Sequence, residues 1–379
     1  MTARSECTRC VMDSSAVDIH FDNEGICSYC TEFLASVEKE IPDAFIRKNR
    51  LDSLVSAIKT AGSSKPYDCI VGVSGGVDSS YTLVRAVELG LRPLALHLDN
   101  GWNSSLAVRN IGNLVTTLGV DLHTHVIDWD ENRRLQRAFF DAGVVDIELL
   151  MDNAMLAANY SAARRFGVRY LLTGGNFITE GLRMPPGWNH FKMDARNIHG
   201  INKQFGTCSI DTHPLMSSWK FVRDQYIFRI RWIGLPQYFE FSKATALSEL
   251  EEKVGYQSYP YKHYESIFTR FYQGYILPTK FGIDKRRVHL SALVATGEMT
   301  RLHAQEILTQ SPYPDARVLA DDLDYVRKKL GYSEAEFSAY INASIHPHST
   351  YPSEEWVFNL LVSVRKHFGG LARLVAPSQ

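Results

Sequence analysis

The sequence predicts an α/β protein with a doubly wound parallel sheet, on the basis of three observations. Four short apolar runs have the length and composition of buried strands, each run is followed by a segment of helical periodicity, and a glycine pair closely follows the first run. Because a parallel strand pair needs a helix to return the chain, this alternation predicts right-handed crossovers within one sheet.

The predicted elements alternate in a regular order. The strands are residues 68–73, 92–98, 122–127 and 169–173, and the helices that accompany them are residues 77–89, 105–118, 132–140 and 146–166. Apolar residues at helical spacing between 31 and 59 predict one or two helices before the sheet. Beyond residue 235 the strand pattern ends, and amphipathic helices are predicted at 243–254, 264–272, 298–308, 317–330, 334–341 and 356–368.

Chain length and this pattern predict two principal units with a small appendage. We divide the 379 residues into a cysteine-containing module (1–35), a helical linker (36–64), the α/β domain (65–235) and a helical region expected to bind the substrate (236–379).

Charge and hydropathy narrow the class of protein. Lys plus Arg (41) nearly equal Asp plus Glu (42), so no global basic field favours nucleic acid, and no nucleic-acid partner is expected. No apolar run reaches the roughly 20 residues that span a bilayer, and the N-terminus lacks the pattern of a signal peptide. We therefore expect a cytoplasmic protein without a membrane partner.

A candidate phosphate loop follows the first predicted strand and precedes its helix, with the sequence Ser74-Gly75-Gly76-Val77-Asp78-Ser79-Ser80. Backbone N–H groups and the positive end of the helix converge there, and glycine lets phosphate oxygens approach. A carboxylate such as Asp78 beside phosphate needs a cation, for which Mg²⁺ is the natural choice. The Gly-Lys-Ser/Thr ending of a Walker loop is absent, which favours binding of pyrophosphate from ATP. The alternative is an ordinary glycine turn capped by Ser74 and Asp78.

Two other strand ends are candidates for the same nucleotide site. Asp99 ends the second predicted strand, and Gly174 and Asn176 follow the fourth. Ligands of doubly wound sheets lie at the carboxyl ends of strands, so these residues are expected to contact ATP. The alternative for each is a left-handed turn without a ligand.

The cysteines predict a metal site. Two C-x2-C pairs place four thiolates within reach of one ion, which predicts a closed, structural zinc site made of Cys7, Cys10, Cys27 and Cys30. A redox dithiol or a sulfur-carrying cysteine is the alternative. Cys69 lies in a predicted strand and is expected to be core, whereas Cys208 lies in a predicted loop and could react.

Two basic and aromatic segments, residues 261–271 and 277–291, hold the densest cluster of polar side chains. A solvated helix face or a nucleic-acid patch is the simplest interpretation of such composition. Alternatively, Lys262, Arg270, Lys280 and Lys285 gather at the active site to offset the charge of ATP and a charged substrate.

The motif Ser-Gly-Gly-Val-Asp-Ser after a strand resembles the signature of the N-type ATP pyrophosphatases, the PP-loop superfamily. The N-terminal Cys-Thr-Arg-Cys-Val-Met-Asp, the Cys-Ser-Tyr-Cys pair, Lys-His-x-Glu-Ser and Lys-Phe-Gly-Ile-Asp-Lys-Arg-Arg resemble the N-acetyl sugar amidotransferase family of bacterial surface-polysaccharide biosynthesis. This likeness runs from Cys7 to about Leu330. It implies an adenine nucleotide alpha hydrolase-like fold and conversion of an N-acetyl group on a nucleotide-linked sugar into an acetamidino group, with ATP, Mg²⁺ and structural Zn²⁺.

The resemblance also suggests roles for the C-terminal residues. Lys262 or Lys280 would stabilise charge on the α-phosphate, and His263 and Glu265 would orient the sugar or accept a proton from ammonia. The expected substrate-binding residues are Arg270, Lys285 and Arg286. Asp211 is a candidate second ligand of Mg²⁺, with a loop cap as the alternative.

No glutaminase motif is present in the sequence, so the resemblance implies a separate glutaminase subunit and a cyclase-like partner that supply ammonia. A homo-oligomer is possible. The competing hypothesis is a tRNA-thiolating PP-loop enzyme, because several such enzymes combine a phosphate loop with zinc-binding cysteines. Near-neutral charge and one free candidate thiol, Cys208, count against it.

Overall fold

Five parallel strands form a sheet at the centre of the computed structural model, which describes residues 5–40, 42–259, 264–313 and 315–367. The strands are β1 (Cys69–Gly72), β2 (Pro93–Asp99), β3 (Leu122–Val126), β4 (Tyr170–Thr173) and β5 (Arg231–Gly234). They lie in the order β3-β2-β1-β4-β5, and every neighbouring pair is parallel. The predicted doubly wound α/β fold is confirmed.

Strand β5 is the one strand of this sheet that the sequence pattern did not indicate. It pairs with β4 from Tyr170↔Arg231 to Thr173↔Gly234. Only four residues long and partly exposed, it has neither the apolar run nor the alternation that identifies a strand. Tertiary pairing to β4 makes it a strand.

The strand order creates a crevice beside the central strand. From β1 the sheet grows through β2 to β3 on one side and through β4 to β5 on the other. Connections on the two sides leave in opposite directions, so the carboxyl ends of β1 and β4 border an open space where ligands of such sheets bind.

Helices cover both faces of the sheet. The first of these elements are α3 (Val77–Glu88), α4 (Ser105–Leu118), α5 (Trp129–Asp141) and α6 (Leu149–Phe166). Along β1, Cys69 and Val71 join the core that contains Leu83 of α3, whereas Ile70 joins the core that contains Tyr160 of α6. This alternation is the two-residue period of a strand buried on both faces.

Two helices precede the sheet, α1 (Ser28–Glu40) and α2 (Ala44–Gly62). Asp43 caps α2, because its side chain accepts a hydrogen bond from the Ile46 N–H at 3.0 Å. Helix α1 begins directly after Cys27 and crosses position 35, which ends the predicted cysteine module. The cysteine module and the linker therefore share one helix.

The C-terminal half is helical, as predicted, but its helices are more numerous than the pattern indicated. The predicted ones correspond to α10 (Lys243–Val254), α11 (Ile267–Phe271), α13 (Arg301–Thr309), α14 (Ala316–Leu330), α15 (Glu334–Asn342) and α16 (Glu355–His367). In this helical region the structure adds a π-helix (Tyr272–Phe281) and α12 (Arg286–Ala295), and between β4 and β5 of the α/β domain it adds α7 (Phe177–Glu180), α8 (Ala195–Phe205) and α9 (Ser218–Tyr226). Pro278 lies inside the π-helix, and proline lacks the N–H of a regular helical bond.

The largest apolar core unites distant parts of the chain. It includes Cys7 and Phe33 of the N-terminal segment, Trp102 after β2, and Phe268 and Phe271 of α11. Burial of this size stabilises the packing of the C-terminal helices against α5, α6 and the cysteine module. In the described part of the chain, no helix combines the length and apolarity needed to cross a bilayer.

Candidate functional site

The phosphate loop joins β1 to α3, and its own hydroxyl groups fix its shape. Gly76 is the N-cap of α3, and its N–H donates to Ser74 Oγ at 3.2 Å. Ser79 Oγ accepts from the Ser74 N–H and donates to the Gly76 carbonyl, both at 3.2 Å. Val77 begins the helix, and buried Ser80 has an Oγ without a hydrogen-bond partner in the described part of the chain. A turn of this kind at the positive end of a helix binds anions.

Gly75 shows why this turn requires glycine. Its φ is +82°, and a Cβ there would lie 2.8 Å from the carbonyl oxygen of Ala107 in α4. The Gly75 carbonyl accepts hydrogen bonds from the hydroxyls of Tyr256 and Tyr259, both at 3.0 Å. Burial raises the pKa of both tyrosines, that of Tyr259 to about 12, so both hydroxyls remain protonated donors. Sequence reasoning did not single out either tyrosine for this role.

The turn after β4 lies against the loop, as the strand order predicts. A Cβ on Gly174 would lie 2.6 Å from the carbonyl carbon of Asp78, so glycine allows this approach. Asn176 is buried, and its Oδ1 caps α7 by accepting a hydrogen bond from the Ile178 N–H at 2.9 Å. The structure thus brings the Gly174 turn together with Asp78.

A hydrogen-bond network holds the end of β2. Asp99 Oδ1 accepts from the Gly101 N–H at 2.9 Å and from Asn103 Nδ2 at 3.2 Å. His97 Nδ1 lies 2.9 Å from the Val73 carbonyl oxygen, and its Nε2 lies 3.0 Å from Asn103 Nδ2. Because a carbonyl can only accept, the Nδ1–H tautomer fits both contacts. His97 therefore ties β2 to the start of the loop, a role that one histidine in an apolar run did not reveal.

The segment after residue 263 is paired to the loop that follows β2. Asn103 and Ser266 form an antiparallel bridge, the Ser104 N–H donates to the Glu265 carbonyl at 2.9 Å, and the Ile267 N–H donates to the Trp102 carbonyl at 3.0 Å. This pairing fixes the backbone of Glu265 beside the phosphate loop.

The Glu265 carboxylate faces the glycine of the helix start. A Cβ built on Gly76 would lie 3.6 Å from Glu265 Oε1. The pKa of Tyr256 is raised chiefly by burial, then by the neighbouring Tyr259, and then by the carboxylates of Glu265 and Asp78. Two predicted site residues from opposite halves of the sequence therefore meet at the loop.

Two further predicted catalytic residues, Lys262 and His263, lie outside the described residues. On either side of this gap, Tyr259 hydrogen-bonds to the loop and Tyr264 directly precedes Glu265.

The predicted substrate residues Arg270, Lys285 and Arg286 line one cavity of 240 Å³. Their charges are paired within the protein. Arg270 makes two hydrogen bonds to Asp322, one of them 2.6 Å long, and Lys285 lies 3.6 Å from a Glu148 carboxylate oxygen. The guanidinium of Arg286 contacts Asp284 at 2.7 Å and also donates to two main-chain carbonyls. The cavity therefore has little uncompensated positive charge.

Lys280 and Asp211 are not brought to the loop. Lys280 is buried, and its Nζ donates to the carbonyls of Tyr340 and Ala343 at 2.6 and 2.7 Å, at the end of α15. Burial lowers the pKa of Lys280. Asp211 is exposed, its N–H donates to Glu131 Oε1 at 2.6 Å, and its Oδ2 accepts from Ser209. Within the described part of the chain, the polar contacts of these two residues are with other segments and not with the phosphate loop.

The four N-terminal cysteines form a compact and fully buried cluster. The Sγ atoms of Cys7, Cys10, Cys27 and Cys30 all lie within 4.8 Å of one another. The Cys10 and Cys27 sulfurs are 3.7 Å apart, and two sulfurs about 2.3 Å from a tetrahedral zinc ion are about 3.8 Å apart. A disulfide would need about 2.05 Å. The geometry fits zinc with no open coordination position.

Main-chain N–H groups surround the cluster. The N–H groups of Cys10 and Cys27 lie 3.4 and 3.2 Å from Cys7 Sγ, and the N–H of Met12 lies 3.4 Å from Cys10 Sγ. Such donors stabilise thiolates, the form that binds zinc.

The remaining cysteines have little thiolate character. Burial raises the pKa of Cys69, which lies within β1 and belongs to the core, as predicted. Cys208 is partly buried, and its pKa is also raised by burial.

Together, the strand order, the loop between β1 and α3, and the Gly174 turn define a doubly wound α/β protein whose candidate phosphate loop lies at the carboxyl ends of its central strands. Residues 265–365 match the family model of the LPS biosynthesis protein WbpG-like, C-terminal domain. The helical region thus contains a WbpG-like domain that begins at Glu265, beside the phosphate loop. This match confirms the resemblance to a family of surface-polysaccharide biosynthesis.

Two solved structures are similar to the chain. The NMN synthetase from Francisella tularensis is 15% identical, with 56% of this chain and 88% of that chain covered and a TM-score of 0.30. The glutamine-dependent NAD⁺ synthetase from Acinetobacter baumannii, in complex with ADP, is 18% identical, with 73% of this chain covered and a TM-score of 0.31. The alignment covers 44% of the NAD⁺ synthetase. Because both scores are low, the fold assignment rests on the sheet topology. No curated protein sequence matches the chain.

Proposed function

We propose that the protein is an ATP-dependent amidotransferase of LPS O-antigen or related surface-glycan biosynthesis. It converts the N-acetyl group of a nucleotide-linked sugar into an acetamidino group and releases AMP and pyrophosphate. The observation that supports this most strongly is the pairing of residues 265–267 with residues 102–104 after β2, because it places the start of the WbpG-like domain beside the phosphate loop.

The phosphate loop and its neighbours support binding of ATP. The hydroxyl groups of Ser74 and Ser79 lie beside the positive end of α3, where the pyrophosphate part would lie. Asp78 would hold Mg²⁺, which offsets phosphate charge. Asp99, at the end of β2, would accept hydrogen bonds from ribose hydroxyls, as acidic residues at strand ends do in dinucleotide-binding folds.

The chemistry proceeds in two displacements. The acetamido oxygen attacks the α-phosphorus of ATP, the bond to the bridging oxygen breaks, and pyrophosphate leaves. Ammonia then attacks the imidate carbon, the carbon–oxygen bond breaks with AMP as the leaving group, and one proton is lost to a base. An amide is a poor electrophile, whereas the adenylylated imidate has a good leaving group.

We propose that Lys262 stabilises the negative charge on the α-phosphate during attack. His263 or Glu265 would carry out the proton transfers. The Glu265 carboxylate lies near Gly76, which supports a role at the reacting atoms. The contacts of Lys280 with two carbonyls support a packing role for that residue instead. Ammonia would come from a separate glutaminase subunit with a cyclase-like partner.

The test is incubation with ATP, Mg²⁺, ammonium and a panel of UDP- and CMP-linked N-acetyl sugars. We expect AMP and a sugar nucleotide lighter by about one mass unit, because NH replaces O. The variant Asp78→Asn should release no AMP, while Asp211→Asn, in an exposed loop, should keep at least half of the activity. If no sugar yields AMP but tRNA does, and Cys208→Ala abolishes that activity, the thiolating hypothesis replaces ours.

A further inference from the structure

A second and larger cavity lies beside the phosphate loop, between the cysteine module and the sheet. This cleft of 640 Å³ has a volume typical of small-molecule sites. Helix α1 forms one wall, and the carboxyl ends of β4 and β5 form the other. Its lining includes Tyr29, Phe33, Ser36, Gly175, Asn176 and Trp232.

The lining of this cleft suits an uncharged ligand. Arg183 is the one cation among the described residues that line it. Its guanidinium is already engaged, at 2.8 Å from Asp18 and 3.2 Å from Glu32, and it lies 4.4 Å from the centre of the Tyr29 ring. A phosphate group would find no uncompensated positive charge there, whereas aromatic rings such as Trp232 offer faces for the apolar side of a sugar ring.

Asn176, which lines the cleft, has a buried hydrogen-bond donor that an acceptor on a ligand would pair. Asn176 is 3% exposed, and its Oδ1 is used as the cap of α7. Its Nδ2 is buried and has no hydrogen-bond partner in the described part of the chain. A buried donor left unpaired costs about 1–3 kcal/mol, so a ligand oxygen that accepts from Nδ2 would recover this free energy.

The cleft opens next to the phosphate loop. Gly175 and Asn176 follow Gly174, which contacts Asp78 of the loop. On the other side of β1, the end of β2 is held by Asp99 and His97, where we place the ribose. A ligand in the cleft would therefore approach the α-phosphate from the β4 side, opposite the nucleoside.

We propose that this cleft holds the N-acetylated sugar ring of the acceptor, with the Asn176 Nδ2 donating to an oxygen of that ring or its acetamido group. The inference rests on the proposed function and assigns its acceptor subsite. On this assignment Asn176 binds the sugar and not ATP. The cavity around Arg270, whose charges are paired within the protein, is then left to bind other parts of the substrate.

The cysteine module is then a wall of the acceptor site as well as a stabilising element. Helix α1 contains the ligand Cys30, and its Phe33 ring packs 5.8 Å from that of Phe177, next to Asn176. The Tyr29 hydroxyl also binds Asp18, within the module. Zinc at the cysteines would hold α1 at the distance from β4 that a sugar ring needs.

A matched pair of variants tests the occupancy of the cleft. Ser36→Trp places a large side chain into it, whereas Ala35→Trp adds the same side chain at an exposed neighbouring position of α1 that does not line it. The probe is saturation-transfer NMR with UDP-N-acetylglucosamine and the other sugars of the panel, with UDP alone as the reference. We expect Ser36→Trp to raise the Kd for the sugar nucleotide, measured by titration of the saturation transfer to the acetyl methyl, by at least about tenfold relative to Ala35→Trp, equivalent to about 1.4 kcal/mol.

The variant Asn176→Asp tests the buried donor with little change in shape. Aspartate keeps an oxygen for the α7 cap but replaces Nδ2 by a second acceptor. We expect a weaker Kd for the sugar nucleotide and an unchanged Kd for ATP, with the melting temperature as the check on folding.

Three results would overturn the assignment. They are equal sugar binding by Ser36→Trp and Ala35→Trp, loss of ATP binding instead of sugar binding in Asn176→Asp, and absence of transfer to every sugar in the wild-type protein. A different result would show that the proposed function, and not the sugar site, is wrong. The wild-type protein would then bind the sugar in the cleft yet release no AMP.

Discussion

At the scale of single residues, the conformation of Gly75 decides whether the phosphate loop can form. We expect Gly75→Ala to reduce pyrophosphate release at least about a hundredfold, because the added Cβ would meet Ala107 in a φ region that favours glycine. Gly187→Ala is the control, since Gly187 has a φ of +80° but no atom within 4 Å of an added Cβ. Equal loss of activity in both variants would show that backbone strain alone, and not the contact with α4, matters.

The two tyrosines on the Gly75 carbonyl give a second prediction. A carbonyl accepts two hydrogen bonds, so Tyr256→Phe or Tyr259→Phe alone leaves one donor in place. Each single variant should raise the KM for ATP by no more than about fivefold, near 1 kcal/mol, and the double variant should raise it by more than the product of the two. A double variant that is merely multiplicative would indicate that the two bonds act independently.

Glu265 and Lys280 show what sequence reasoning could and could not find at this scale. The residue types and the polar segments around them predicted an active-site role for both Glu265 and Lys280. Backbone pairing with the loop after β2 brings Glu265 to Gly76, while packing directs Lys280 to the carbonyls at the end of α15. Nothing local in the sequence distinguishes these outcomes, because each depends on a partner distant in the chain.

At the scale of elements, two helices of the WbpG-like domain are anchored to the cysteine module. Arg301, which begins α13, donates to the carbonyls of Cys7 and Cys10 at 2.9–3.1 Å and pairs with Glu6 at 2.7 Å. Arg287 of α12 donates to the Val11 carbonyl at 2.7 Å. Module and domain therefore stabilise one another.

This contact predicts that Arg301→Ala loosens the metal site. Removing three carbonyl contacts and an ion pair should lower the free energy of unfolding by about 1–3 kcal/mol and speed the loss of zinc to a chelator. Arg317→Ala, an exposed arginine on α14, is the matched control and should change neither. The measurements are thermal unfolding and the absorbance of a zinc-binding dye. Identical curves for the two variants would contradict the anchoring role.

At the scale of the whole molecule, buried histidines link stability to pH. His348 joins the C-terminal region to α8 and to the start of α6, because its Nδ1 lies 2.7 Å from Asn197 Oδ1 and its Nε2 accepts from the Asp146 N–H at 3.1 Å. Burial lowers its pKa to about 3, and burial lowers that of His213 to about 4. Both side chains are therefore neutral in the folded protein at neutral pH.

The sign of the effect follows from these lowered values. An unfolded histidine takes up a proton near pH 6.5, so the contribution of His348 to stability is complete above that pH and is lost as the pH falls toward about 3. We expect His348→Gln to show a shallower decline of stability below pH 6.5, with His213 responsible for part of what remains. His199→Gln, on the exposed side of α8, should keep the wild-type slope. Urea unfolding between pH 7 and pH 4 measures this.

The sequence by itself determined the features that are local in the chain. The four predicted strands, the loop from Ser74 to Ser80 and the four-cysteine spacing each depend on neighbours a few residues away, through hydrophobic period, turn conformation and ligand spacing. The order of the residues therefore specifies those interactions directly.

The tertiary structure alone decided which of these features meet. It made residues 231–234 a fifth strand, brought Glu265 to the loop, paired Arg270 with Asp322 and set α1 opposite the ends of β4 and β5. The physical reason is that long-range backbone pairing, burial and charge compensation depend on which distant groups share a space. The polarity of a side chain does not reveal the partner that will satisfy it.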